Sequence, residues 1–260
     1  MLDNRAGAAG TIGADLVAKA PPDGYTLMVH SATHVANATT YKSLAYRTLE
    51  DFTPIAFISA QPAVLLIHPS LPVKSVSEFI ALAKKRPGEI NYASSGNGSS
   101  PHLAMALFTM SANVRLTHVP YRGGPPSITS LLAGETQASV ATLPNALPHL
   151  NGGRVRALGV TTPKRFSGAP AIPTIAESGL PGYEMNPWIS LFGPAGLRRE
   201  LVEQLNGVIS KGLRDPAVAK TMVNQGLEPW IGTPEQLAAR MRVDLDKYAK
   251  LIRVSGVTND

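Results

Sequence analysis

Along most of this chain, strand-like runs alternate with segments of helical period, and the connections between them are short and marked by Pro, Gly or a capping residue. Residues 11–19 place Ile12 and Leu16 on one helical face, Pro21-Pro22-Asp23-Gly24 stops that helix, and a strand is expected over 25–30. Ser75 with Glu78 three residues on is a capping box opening a helix to about Arg86, and Pro87-Gly88 ends it before a strand over 90–93. A helix over 101–112, a strand over 115–119, a helix over 127–133 and strands over 137–140 and 155–160 continue the series. Strands separated by helices with so little chain between them need crossover connections. The expectation is therefore an α/β fold, with parallel or mixed sheets covered by helices.

Two segments interrupt this order. Residues 52–68 are long and mostly apolar, but Pro62 lacks the N–H that a central strand must donate, so the run reads as a passage between two packed bodies. Residues 188–194 read as a second passage, after a Pro-rich stretch. The remainder is helical, over 198–213, 216–225 and from Pro234 onward, the last capped by Thr233 with Gln236 three residues later. Two passages imply two lobes: residues 1–65 with 190–260, and residues 66–189 inserted between them. A ligand site in the cleft between the lobes is expected.

Composition narrows the function. The formal charge of +6 suggests an acidic partner, but Lys84-Lys85-Arg86, Lys164-Arg165 and Arg198-Arg199 are small scattered groups, and aromatic residues make up only 6% of the chain. Nucleic acid is not expected; a small anion fits better. Cys is absent, which removes disulfides, thiolate metal ligands and a Cys nucleophile. No apolar run approaches the roughly 20 residues of a membrane span.

The densest motif is Ser94-Ser95-Gly96-Asn97-Gly98-Ser99-Ser100-Pro101, between an expected strand and an expected helix. Ser100 suits the N-cap and Pro101 the first helical position, and the glycines permit close backbone approach. Free N–H groups and the positive end of the helix would attract an anion, and the hydroxyls add donors without charge. The same residues also suit an ordinary strand-to-helix turn. Gly96, Gly98 and Pro101 imitate a dinucleotide fingerprint, but no carboxylate stands about twenty residues on, where 117–122 read Thr-His-Val-Pro-Tyr-Arg. His30 and His34 are spaced i, i+4 without the Glu of a zinc motif, and are expected as a polar rim at a strand exit. Ser99 and His102 lack both a nucleophile elbow and an orienting carboxylate. Tyr121-Arg122-Gly123-Gly124 also follows a strand and precedes a helix, on the same sheet edge as the Gly/Ser turn, where Arg122 could pair with a carboxylate.

Taken in order, Asp3-Asn4-Arg5-Ala6-Gly7, Pro22-Asp23-Gly24-Tyr25-Thr26-Leu27, Asn91 to Leu103, His118-Val119-Pro120-Tyr121-Arg122-Gly123, Leu143-Pro144, Pro173-Thr174-Ile175 and Phe192-Gly193-Pro194-Ala195-Gly196 resemble one family. It is that of the Bug-type periplasmic carboxylate receptors, the substrate-binding subunits of tripartite tricarboxylate transporters. The resemblance implies a two-lobed, type II-like periplasmic binding protein, each lobe a mixed sheet flanked by helices. It implies no catalytic residue, cofactor or metal, a monomeric state, and membrane permease subunits as partners.

By the same resemblance, Ser95, Gly96, Gly98, Ser99 and Ser100 contact the ligand carboxylate, with Tyr121 and Gly123 nearby and Ser31 and Thr33 contributed by the first lobe. The chain begins inside the family's Asn-Arg segment. The first lobe is accordingly expected to lack its initial strand and helix, with a start upstream that would carry the export signal. Ala141-Thr142 stands where relatives often have Asp-Asn. A sensor, an inactive truncated paralogue, and an enzyme of the nucleotide-binding oxidoreductase or serine hydrolase kind are the competing readings.

Overall fold

The computed structural model describes residues 2–5, 7–150 and 152–255. In chain order its elements are α1 (Thr11–Ala18), β1 (Met28–Ser31), α2 (Thr33–Thr40), β2 (Phe52–Ala60), β3 (Ala63–Ile67), α3 (Val76–Lys85), β4 (Asn91–Ser94), α4 (Ser100–Ala112) and β5 (Thr117–Pro120). There follow α5 (Gly124–Leu132), β6 (Ala138–Thr142), α6 (Leu143–Leu150), β7 (Arg156–Val160), β8 (Trp188–Pro194), α7 (Arg199–Leu213), α8 (Pro216–Asn224), β9 (Glu228–Pro229) and α9 (Pro234–Ser255). The fold is α/β, and the strands among the described residues form two sheets, ordered β1-β8-β2-β9 and β5-β4-β6-β3-β7.

By contacts the chain divides into two compact units. One comprises Met1–Ala60, Pro187–Thr221 and Pro229–Asp260, the other Gln61–Asn186 and Met222–Glu228. In the first unit β8 is central and antiparallel to both β1 and β2. Pro54 falls opposite Phe192, and the register shifts between Pro54 and Ala56, as expected where a residue without an N–H enters a ladder. The core on this sheet includes Ile55, Ala56, Leu191, Leu197 and Val202.

Helix α9 is tied to this unit by a buried polar contact. Trp188 Nε1 donates to Asp244 Oδ2 at 2.8 Å, and Arg240 Nε reaches the same oxygen at 2.8 Å. Asp244 is 1% exposed, so its charge is held by these two donors in a setting where an unpaired carboxylate would be costly. At the helix start the predicted capping box is present and reciprocal: Thr233 Oγ1 accepts from Gln236 N, and Gln236 Oε1 accepts from Thr233 N.

In the second unit β3 is the buried axis of the sheet, with all five residues of Ala63–Ile67 inaccessible. A continuous apolar run is what a strand covered on both faces requires. β3 pairs antiparallel with β6 and β7, whereas β4 pairs parallel with β5 and β6, so this sheet is mixed. Pro62 separates β2 from β3 and uses its carbonyl instead, accepting from Leu143 N at 2.9 Å. The predicted box at α3 forms on its serine side, with Ser75 Oγ accepting from Glu78 N, while the Glu78 carboxylate turns to Lys74 N.

Two helices went unread in the sequence. α2 carries Thr, Val and Asn, which are poor helix formers, and α6 contains Pro144 and Pro148; both helices are held by packing rather than propensity. We expect Asp244→Ala to destabilise the first unit by about 3 kcal/mol, because it leaves Trp188 and Arg240 facing a vacated site. Urea unfolding followed by tryptophan fluorescence measures this, and a loss below about 1 kcal/mol would show that the contact does not anchor α9.

Candidate functional site

The parallel pairing of β4 with its neighbours brings several loops together. Ser94 lies opposite Pro120 in the β4–β5 register, and Ala93 opposite Ser139 in β6, so the three strands end at one edge and α4, α5 and α6 start there. Between Ser94 and α4 the chain reverses through Gly96 at φ +119° and Gly98 at φ +71°. A Cβ on Gly96 would sit 3.3 Å from the Tyr121 carbonyl oxygen, so glycine is needed there for conformation and for space. The Gly96 carbonyl closes the loop by accepting from Ser99 Oγ at 2.7 Å and from Ser94 Oγ at 3.2 Å.

The sequence placed the helix cap at Ser100, and the structure moves it one residue earlier. Ser99 is extended and its Oγ accepts from His102 N, which is N3 of the helix counted from that cap, while Ser100 already has its place in the first turn. This frees the Ser100 side chain from capping. Ser95 and Ser100 are half-buried, and neither hydroxyl makes a hydrogen bond among the described residues. Gly98 N–H is taken by His102 Nδ1 at 3.2 Å, so this glycine shapes the turn from within.

Of the other residues anticipated, Tyr121 lies at the same edge, its N–H donating to the Ser94 carbonyl at 3.0 Å and its hydroxyl 3.5 Å from Glu135 Oε2. Gly123, at φ +112°, precedes α5, whose first turn holds Pro125 and Pro126 and therefore presents few N–H donors. Arg122 is exposed. Ser31 and Thr33 belong to the other compact unit, where Ser31 ends β1 and its Oγ accepts from Thr33 N at 3.3 Å.

Expected as a polar rim, the 30–34 segment is instead partly core. His34 lies in α2, is 0% exposed, and packs edge-on against Phe52 at 4.6 Å and against Tyr46 and Phe192. Burial, with a smaller contribution from His30, pushes its pKa down to about 3. The i, i+4 spacing of the two histidines was compatible with this apolar packing, and no group of three or more His, Asp or Glu able to hold a metal ion occurs among the described residues.

Under the Gly/Ser turn lies a feature the sequence reading missed. His102 from α4 and His118 from β5 stack at 3.8 Å between centroids, and Tyr92 stacks on His118 at 4.8 Å. Ser94 Oγ is 2.7 Å from His118 Nε2. That separation would suit a nucleophile and its base, but Ser94 is 0% exposed and no carboxylate bonds to His118 among the described residues. Burial lowers the pKa of both histidines, that of His102 to about 4, so at neutral pH the rings are uncharged. The only hint in the sequence was the recurrence of a His near each motif on this edge.

An α/β fold of two helix-flanked sheets with a donor-lined strand edge is the architecture of solute-binding proteins, and solved structures of that class match it. R. palustris Rpa4515 with adipate is 35% identical, with a TM-score of 0.86 over 99% of this chain and 87% of that one. MatC from Rhodopseudomonas palustris with bound malate is 31% identical, with a TM-score of 0.78 over 95% of this chain and 85% of that one. The model of the tripartite tricarboxylate transporter family receptor matches residues 1–257, and the chain belongs to that family. Protein BugT of Bordetella pertussis is 34% identical across 98% of this chain and 79% of its own length. The UPF0065 protein in the tcbD-tcbE intergenic region of a Pseudomonas species is 38% identical across 97% and 75%. The matched family is one of receptors, not of enzymes.

Gly96→Ala should strain the turn by about 1–3 kcal/mol and slow or shift its closure, read as faster amide exchange over 94–100 with the rest of the unit unchanged. A second expectation concerns acid. Because the folded-state pKa of His34 lies below its unfolded value, the unfolded chain takes up its proton first, and stability contributed here falls as pH drops from about 6.5 towards 3. His34→Phe, which keeps the ring packing, should flatten that part of the stability profile. Equal slopes for both proteins would show that His34 does not set it.

Proposed function

We propose that this protein is an extracytoplasmic receptor that captures a small carboxylate and delivers it to the membrane permease subunits of a tripartite transporter. The observation that carries the reading is the turn at 95–100. It sets the start of α4, with the N–H of Ser100 and the unengaged hydroxyls of Ser95 and Ser100, at an edge where nearly every donor is neutral. Such a terminus favours an anion through the helix dipole and through direct hydrogen bonds. A carboxylate is the anion named with two similar proteins, adipate in one and malate in the other.

In this reading Ser95 and Ser100 hold one carboxylate, Gly96, Gly98 and Ser99, whose donors are spent within the turn, keep it in shape beside the ligand, and Tyr121 and Gly123 complete its surroundings. Ser31 and Thr33 are included as further hydroxyl contacts. Ordered water can take the place of a direct contact, which allows one scaffold to accept acids of different length. The proposal also includes a periplasmic location, a monomeric receptor, and lobes over residues 1–65 with 190–260 and over 66–189. Relatives are named as periplasmic, and no helix among the described residues is long and apolar enough to cross a membrane.

The test is a thermal-shift and calorimetry series with acetate, malate, adipate and citrate. At a hundredfold excess over Kd, the bound acid should stabilise the protein by about 2.7 kcal/mol, and Ser95→Ala with Ser100→Ala should remove most of that gain. Absence of stabilisation by every acid, or conversion of any of them, would overturn the proposal.

A further inference from the structure

We infer that His102 and His118 act as positioning residues for the anion-binding turn, fixing its backbone from inside so that its remaining donors face the ligand. This inference rests on the function proposed above and assigns to it two residues outside the ligand contacts proposed there.

The argument starts from hydrogen-bond accounting. The turn has more N–H groups than it has uses for in closing itself, and a Gly-rich loop can rotate any of them inward or outward. His102 Nδ1 removes one choice by accepting from Gly98 N–H, which sets the peptide plane between Asn97 and Gly98. His118 removes another through Ser94, whose Oγ lies 2.7 Å from His118 Nε2 and also accepts from Gly96 N at 3.2 Å. The two rings are themselves clamped, stacked at 3.8 Å with Tyr92 on the outer face of His118. Each end of the loop is thus tied to one ring of a stack that neither can leave alone.

The chemistry also requires the His102 ring to be neutral. To accept from Gly98, Nδ1 must carry a lone pair, so the His102 proton is on Nε2. Protonation of His102 would convert the acceptor to a donor, turn Gly98 N–H loose, and place a cation face to face with the His118 ring. No carboxylate among the described residues bonds to either ring, so nothing there favours the charged form. Tyr92, whose hydroxyl pKa is raised by burial, stays neutral as well.

The experiment compares the parent chain with His102→Leu, His102→Asn and His118→Phe. Asn offers Oδ1 near the position of the imidazole Nδ1, whereas Leu fills space without an acceptor, and Phe keeps the stack but loses the Ser94 contact. Adipate and malate serve as probes, with affinity read by calorimetry. Stability is read by urea unfolding and the Gly98 amide by hydrogen exchange. We expect His102→Leu to weaken binding about tenfold, in line with loss of one buried hydrogen bond, and to speed Gly98 exchange. His102→Asn should return both to within about threefold of the parent.

The inference is overturned if Gly98 exchange is unchanged in His102→Leu, a result that does not depend on any ligand. It is also overturned if Leu and Asn weaken binding equally, or if affinity falls only in step with global stability. If the parent binds neither acid, the functional proposal fails while the exchange result still decides whether the histidines fix the turn.

Discussion

Parallel pairing of β4 with both β5 and β6 is the constraint from which the candidate site follows. Parallel neighbours cannot be joined by a hairpin, so the chain must leave each strand at one edge, cross by a helix, and return to start the next. Strand exits and helix starts are thereby collected on a single side. The register places Ser94 beside Pro120, and the Gly/Ser turn therefore lies against Tyr121 rather than elsewhere on the sheet. β3 runs against β6 and β7 and adds no exit to that edge, but its five buried residues supply the hydrophobic axis on which the parallel strands rest.

In the function proposed, recognition at this edge would have to be assembled from weak neutral parts. A helix N-terminus contributes about 0.3–2 kcal/mol to holding an anion. A micromolar complex corresponds to about 8 kcal/mol, so the dipole of α4 alone falls well short. Hydrogen bonds to a charged acceptor contribute about 1.5–3 kcal/mol each, and several must converge to make up the difference. The turn can supply them only if its backbone is fixed before ligand arrives, because each freely rotating peptide would otherwise have to be ordered on binding. That is the physical reason for attending to Gly96, Gly98 and the histidines behind them, which do not contact ligand in the proposed arrangement.

The fold was legible wherever a local rule and the tertiary environment agreed. Ala63 to Ile67 is apolar throughout because both faces are covered, Pro62 breaks the run because it cannot donate, and Thr233 with Gln236 caps α9 as their side chains allow. Legibility failed where packing overrode propensity. α2 holds three Thr and one Asn among its eight residues, which favour other conformations, yet His34, Val35 and Ala36 are buried, and that burial decides the matter. At the candidate site, residue types pointed to the turn, but not to which donors it spends on itself. Ser99 and Ser100 are identical in kind and adjacent, and only geometry shows that the first caps the helix while the second does not. His102 and His118 are sixteen positions apart, and nothing in one dimension makes them a stack.

Neutrality of the candidate site has a consequence for the transport role proposed. A receptor must both bind and surrender its cargo, and a buried guanidinium pairing with a carboxylate would hold it by an interaction that is costly to break once desolvated. Here Arg122 is left exposed, and in the proposed arrangement a carboxylate would be offered backbone N–H groups and hydroxyls whose hydrogen bonds water can replace one at a time. Buried histidines that stay uncharged fit the same logic. A cation at His102 would add attraction, but it would also strip Gly98 of its acceptor and unfasten the turn that makes the other donors converge. Under the proposed function, the arrangement would trade peak affinity for a preformed surface, which is the property a shuttle between free ligand and permease requires.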